Sequence, residues 1–257
     1  MNTDALSSDQ PVTANRDGLS SPGRRRFIGQ VGALTLVIGL GGEISRAEEM
    51  PANGNAAFSP NAFIRIDQQG TLTVVSSFLE MGQGTFTGLA TLAAEELDAD
   101  WRNVRVIAAP ADVENYANLN FARRGLRIQG TGGSTSMNAA WLQMRQAAAT
   151  ARAMLLGATA KRWKVSSDSL EIENGVVMHR ASGRRARFGE LAAAAAREPV
   201  PPQVTLKSPA NFRLIGRQTA QLPRVDIPPK TNGTAIYTQD IKLPGMLVAV
   251  VAYPPRL

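Results

Sequence analysis

The amino-acid sequence predicts a mixed α+β fold, strands with helices packed on them, followed by the opening of a second domain. Three observations carry this. Two pairs of strand-like runs are joined by tight-turn signals, Gln68-Gln69-Gly70 and Asn174-Gly175. Two longer stretches, beginning at Phe86 and at Met137, repeat apolar residues at helical spacing. A chain of 257 residues with 44% apolar content has enough material for one large core or two small ones.

Residues 1–23 are polar and lack periodicity. Arg24-Arg25-Arg26-Phe27 then precedes an apolar run over residues 31–40, too short to span a bilayer, which takes about 20 residues. A basic start, a short apolar run and small residues near Ala47 predict an export signal over residues 1–47. The paired arginines before Phe27 resemble the twin-arginine variant, with a periplasmic destination and no stable membrane span.

Residues 48–60 form a Gly/Asn/Pro/Ala linker, and residues 61–200 the main domain. Within it, residues 62–67 and 71–78 alternate as a β-hairpin, and Phe86, Leu89, Ala90, Ala93 and Leu97 mark a helix. Glu95, Glu96, Asp98 and Asp100 crowd the end of that helix, and residues 101–108 return as a strand. Residues 109–130 have no period and predict a long irregular loop. A helix then runs from Met137 to about Lys164, with a core stripe of Met137, Trp141, Met144, Ala148, Ala151, Leu155 and Ala158 and with Arg145 and Arg152 on another face. A second hairpin (169–173, 176–179) and a short helix (188–196) lead to Pro199–Pro202. A Pro-rich connection over 201–229 precedes two further strands, 233–240 and 246–252, too few to stand alone, so residues 230–257 predict an incomplete domain.

Composition excludes several chemistries. Without cysteine the chain holds no iron–sulfur cluster or zinc through thiolates and uses no thiol nucleophile. The one histidine, His179, sits before a turn and reads as a solvated strand-end residue. Of the net charge of +7, residues 1–47 carry +1 (five Arg against Asp4, Asp9, Asp17 and Glu43). The remaining positive charge is scattered among few aromatics, which does not suit a nucleic-acid surface.

Two glycine loops open the two long helices. In Met81-Gly82-Gln83-Gly84-Thr85 the glycines free the backbone to approach a ligand, and the helix start beyond offers N–H donors to an anion. Taken alone this is also ordinary turn chemistry. The second loop, Gly130-Thr131-Gly132-Gly133-Ser134-Thr135-Ser136, adds three consecutive hydroxyls at a helix start, where one suffices as a cap. Two such loops suit an extended anionic ligand.

Glu80-Met81-Gly82-Gln83-Gly84, Ala94-Glu95-Glu96-Leu97-Asp98, Val104-Arg105-Val106 and Thr131-Gly132-Gly133-Ser134-Thr135-Ser136 follow one family in order. With Asn211-Phe212-Arg213-Leu214-Ile215-Gly216 and Leu243-Pro244-Gly245-Met246-Leu247, the chain resembles the molybdopterin-binding large subunit of the xanthine dehydrogenase/aldehyde oxidase superfamily, closest to the isoquinoline 1-oxidoreductase beta type. The resemblance implies a molybdopterin-binding domain followed by the start of an α/β hammerhead domain. It implies that Gly82, Gln83 and Gly84, with Thr85, contact the pterin near molybdenum, and that Ser134, Thr135 and Ser136, with Gly133, hold the phosphates of molybdopterin cytosine dinucleotide. It further implies [2Fe-2S] clusters on a small electron-transfer partner subunit, and a small-molecule substrate, an N-heterocycle or an aldehyde. The family continues to a glutamate base that nothing here matches, so no residue is given a catalytic or metal-ligand role. A non-catalytic remnant or an exported binding module is the alternative expectation.

Overall fold

The computed structural model describes residues 63–217 and 222–253, together with a strand at Leu34–Leu36. The first hairpin forms where the alternation puts it. β2 (Ile64–Ile66) and β3 (Leu72–Ser76) pair antiparallel, with Ile64 opposite Val74 and Ile66 opposite Leu72, and these four side chains are buried. β1 (Leu34–Leu36) pairs antiparallel with β2. It belongs to the predicted export leader, the rest of which lies outside the described residues, as does the 48–60 linker.

From β3 the chain crosses through helix α1 (Thr85–Leu97) to β4 (Val104–Ala108), which lies parallel to β3, so the sheet order is β1-β2-β3-β4. A parallel return needs such a crossover, and a helix meets it while covering the sheet. The predicted strand at 101–108 starts later than expected. Residues Trp101–Asn103 form a 3-10 turn, because the Asp100 carboxylate accepts from the N–H of Arg102.

The stretch 109–130 is not structureless. Two single-turn helices, α2 (Val113–Tyr116) and α3 (Leu119–Ala122), begin at Asp112 and Asn118, whose side chains accept from N–H groups of their own first turns. Tyr116 is buried edge-on against Phe63, with ring centroids 5.3 Å apart, and pins the segment to the core.

Helix α4 (Ser136–Trp163), 28 residues and about 42 Å long, packs against α1. Its alanines at 139, 140, 147, 148 and 151 are buried and let the two helices come close. The stripe departs from expectation at its start. Met144, Ala148, Ala151, Leu155 and Ala158 are buried, but Met137 and Trp141 are partly exposed beside the glycine loops. The stripe runs past the end of the core there.

A second, antiparallel sheet follows: β5 (Leu170–Glu173), β6 (Val176–His179) and β7 (Arg184–Arg187). Asn174 and Gly175 both take positive φ (48° and 73°), the two-residue turn that Asn-Gly favours. β7 has no apolar alternation to announce it, since only Ala186 of its four residues is buried. His179 ends β6 with Nδ1 2.7 Å from Ser182 Oγ. Helix α5 (Phe188–Ala195) returns across α4. Its Gly189 lies so close to the first hairpin that a Cβ there would run into the Gln68 carbonyl oxygen.

The packed body extends beyond Pro202. Val200, Leu214, Ile215 and Val225 lie against the core, and Phe212 is buried. A short helix, α6 (Ile227–Thr231), follows. The two strands expected at 233–240 and 246–252 are absent. Residues 232–253 hold only one 3-10 turn, and Leu247 is 93% exposed. Strand pattern without a partner strand does not make a strand.

Candidate functional site

The first glycine loop begins where β3 is stopped. Buried Ser76 turns its hydroxyl back, donating to the Phe78 carbonyl (2.7 Å) and accepting from the Phe78 N–H (3.2 Å). The chain then passes Leu79 and Glu80 and enters α1 through Gly82 (φ 103°) and Gly84 (φ 86°). A Cβ on either would meet nothing within 4 Å, so glycine is required by backbone angle and the face they present is open.

The N–H donors at this helix start are not free, contrary to expectation. The side chain of Glu80, only 4% exposed, folds under the loop. Its Oε1 accepts from the N–H groups of Gly82 (2.7 Å) and Gly84 (3.0 Å), and its Oε2 from Phe86 (3.0 Å). Burial alone would push this carboxyl up, but the three N–H groups outweigh it and hold the pKa below its ordinary value. The positive end of α1 is therefore neutralised from within.

Arg224 closes the arrangement from the far end of the described body. It donates to Glu80 Oε1 (3.2 Å) and to the Gly82 carbonyl (3.1 Å), while its Nε and Nη2 grip Asp226 at 3.0 and 2.8 Å. Lys230 Nζ also donates to Asp226 (2.6 Å), and the Val225 N–H donates to Thr87 Oγ1 (3.1 Å). The Arg224 hydrogen bond, with Lys230 beside it, lowers the Asp226 pKa to about 2 against the opposing effect of burial. Glu80 carries a recognisable signal, an acid beside a helix start. Arg224 and Asp226 carry none, since both lie in a segment read as a connection.

Gln83 faces outward, but its amide closes its own loop. Nε2 donates to the Leu79 carbonyl (2.7 Å) and Oε1 accepts from the Met81 N–H (2.6 Å). Thr85 is buried and does not face the open side. Of the first set, Gly82, Gln83 and Gly84 thus share one exposed surface, with Met81 and Leu79 beside it.

The second loop lies against the first, since Thr131 Oγ1 accepts from the Leu79 N–H at 2.9 Å. Its organiser is Asn118, wholly buried and missed in the sequence because it falls in an aperiodic stretch. Asn118 Nδ2 donates to the Gly130 carbonyl (3.0 Å) and to Thr135 Oγ1 (2.7 Å), and its N–H donates to the Ile128 carbonyl (2.8 Å). Thr135 Oγ1 in turn donates to the Gly132 carbonyl (2.7 Å).

The expected row of three hydroxyls is thereby corrected. Thr135 is spent inside the loop and Ser136 is buried, which leaves Ser134 as the one turned to solvent. Gly133 and Ser134 both adopt left-handed backbone (φ 59° and 54°) to make that turn. Neither helix is capped by its own N-cap side chain, but the first turn of α1 is met by Glu80, whereas among the described residues no side chain folds back onto the first turn of α4. Its first-turn N–H groups, with the Ser134 hydroxyl, form the better place for a phosphate.

Glu95 and Glu96 serve a structural purpose. Glu95 is buried and accepts from the N–H groups of Arg213, Leu214 and Ile215 and from Lys207 Nζ, at 2.7–3.1 Å. Burial pushes its pKa up and these donors more than reverse it. Glu96 meets Arg145 Nε at 2.6 Å, and the Arg145 guanidinium lies between the rings of Trp141 and Phe212, 5.3 and 5.2 Å from their centroids. Both carboxylates are thus committed to binding residues 207–215 to the helices. Among the described residues no group of His, Asp and Glu is placed to hold a metal ion, and no helix is long and apolar enough to cross a membrane.

The family described as "Molybdopterin cofactor-binding domain" matches residues 31–223. The beta subunit of isoquinoline 1-oxidoreductase from Brevundimonas diminuta is 35% identical over 267 residues, 90% of this chain and 33% of that protein. The membrane-bound aldehyde dehydrogenase [pyrroloquinoline-quinone] of Gluconacetobacter polyoxogenes is 33% identical over 94% of this chain and 31% of its own length. A subunit of nicotinate dehydrogenase from Pseudomonas putida is 33% identical over 75% of this chain and 15% of its own. The chain spans about a third of the first two relatives. It belongs to the molybdopterin cofactor-binding domain family.

Proposed function

We propose that this chain is the cofactor-cradling part of a molybdenum hydroxylase large subunit, acting oxidatively on an N-heterocycle or an aldehyde. The observation that carries the reading is the joining of the two glycine loops through Leu79 and Thr131, with an uncapped helix start at Ser134–Ser136. The residues fit the group in two ways. The Gly82–Gly84 face is open where a flat ring system would lie, and the α4 start offers N–H donors and one outward hydroxyl to a phosphate.

When bound, molybdopterin with its molybdenum supplies the oxidation, giving the substrate an oxygen derived from water and taking two electrons. The chain's residues bind and orient. Ser134 and the first turn of α4 take the phosphate of the dinucleotide form, the cytosine dinucleotide. Asn118 and Thr135 keep that turn in shape. Glu80 and Arg224 hold the first loop, so that Gly82 and Gln83 keep their place against the pterin. Among the described residues beside the first loop, Glu80 is engaged by three N–H groups and Arg224, and Asp226 by Arg224 and Lys230, so neither is free to move a proton. Electrons leave to a small [2Fe-2S] partner subunit. The Arg24-Arg25-Arg26-Phe27 leader directs export by the twin-arginine route to the periplasm.

The test is the molybdenum and pterin content of the purified protein, with Ser134→Asp as the variant. A second negative charge at an exposed phosphate cradle should lower cofactor content about tenfold while the melting temperature hardly moves. Cofactor content unchanged in S134D refutes the phosphate assignment. A stable protein with neither molybdenum nor pterin favours the binding-module or remnant reading instead.

A further inference from the structure

At the other end of α1, about 20 Å from the glycine loops by helix length, lies a cavity of about 650 Å³. Its floor is α4 and its roof the segment 203–208. Ala153, Leu156, Val204 and Leu206 give it apolar walls, and Arg152, Arg213 and Asp98 give it charge. The size and the mixture of apolar wall with few polar groups are those of a small-molecule pocket.

The charges do not balance. Lys207 Nζ is spent on Glu95 (3.0 Å) and on Asp98 Oδ1 (2.7 Å). That leaves Asp98 to answer two guanidinium groups, and it reaches each only at 3.9 Å: Arg152 from Oδ2 and Arg213 from Oδ1. Arg152 Nε is moreover buried with no hydrogen-bond partner. That nitrogen faces no open space, so a ligand in the cavity would meet the terminal guanidinium nitrogens of Arg152, whose side chain is about a third exposed, and the largely exposed Arg213. Guanidinium groups take carboxylates as two-pronged partners, and one unanswered positive charge calls for one negative charge.

We propose that this cavity is a second binding site, for a small organic monocarboxylate with an apolar body seated on Ala153 and Leu156. It is independent of the molybdopterin reading. The carboxylate lies between Arg152 and Arg213, and the body is covered by Val204 and Leu206.

The experiment is calorimetric titration of the purified chain with benzoate, with benzamide as the neutral isostere and inorganic phosphate as the anion without an apolar body. Saturable benzoate binding is expected, at least about tenfold tighter than benzamide or phosphate. Arg213→Gln, at an exposed side chain, should weaken benzoate about tenfold and leave the unfolding midpoint in place. Ala153→Leu, which fills the cavity, should abolish binding in a protein that still melts cooperatively. Absence of saturation, equal binding of benzamide or phosphate, or an R213Q variant as tight as wild type overturns the proposal. None of these readouts involves molybdenum, so the outcome leaves the assignment of the glycine loops where it stands.

Discussion

Replacing Asn118 by alanine removes a wholly buried side chain that ties the second glycine loop to the helix it opens. Three hydrogen bonds go: Nδ2 to the Gly130 carbonyl, Nδ2 to Thr135 Oγ1, and the Asn120 N–H to Oδ1. Their losses are unequal. Thr135 keeps its bond to the Gly132 carbonyl, and the Asn120 N–H, near the surface, gains water. The Gly130 carbonyl and the void left by a wholly buried side chain account for most of the cost. At about 1 kcal/mol for each replaced bond and 1–3 for a stranded buried group, the total is about 3 kcal/mol. For a body of this size that is a fall of roughly 6–12 °C in Tm. Urea unfolding of N118A and wild type measures it, with Asn118→Asp as the isosteric partner. The aspartate sets an acceptor against the Gly130 carbonyl and should be no better than alanine. A destabilisation under about 0.5 kcal/mol for N118A, or a wild-type-like N118D, would show that the loop is shaped by something else.

Four further outcomes follow from the contacts. Glu95→Gln puts an amide donor among four donors and should cost about 3–5 kcal/mol, with hydrogen exchange rising first at residues 207–215; exchange spread evenly over the chain contradicts a local fastening role. Asp226 titrates at about 2 in the folded protein against an ordinary 3.8, so its stabilisation is complete above about pH 4 and is lost as pH falls through 2; urea midpoints from pH 6 to 2 should drop less in D226N than in wild type. Gly189→Ala drives a Cβ into backbone atoms of Gln68 and Gly70 and should cost about 3 kcal/mol, whereas Gly88→Ala meets only the flexible end of Met137 and should cost under about 1; equal melting temperatures for the two variants would refute the close approach. On the proposed cofactor reading, Gln83→Ala should lower the molybdenum and pterin content of the purified protein well beyond its effect on stability, and equal losses in both would deny a cofactor contact.

What the sequence made legible was whatever repeats locally. The Asn174-Gly175 turn, helix α4 and the β2–β3 hairpin each follow from spacing over a few residues. β7 was hidden because three of its four residues are arginine, and only its pairing with β6 makes it a strand. Residues 246–252 show the converse, alternation without a partner. The glycine loops were visible by composition. Their supports were not, because Asn118 reaches its loop across 12 and 17 positions and Arg224 across 142 and 144, while Asp226 acts only through its near neighbours Arg224 and Lys230. The hydroxyl row was overread for a related reason: which of three adjacent hydroxyls turns outward depends on the left-handed step at Gly133 and Ser134.

The grip of Arg224 on the first glycine loop has a consequence in time. Glu80 and Arg224 are 144 positions apart. At 5–20 residues per second, synthesis takes roughly 7–30 s to supply the second after the first. During that interval the β3–α1 turn carries its buried acid without the guanidinium that flanks it, while the helix behind it can already form. Completion of the loop is thus one of the last events of this body's folding, and a cofactor that needs the loop finished must arrive after residue 224 has been made.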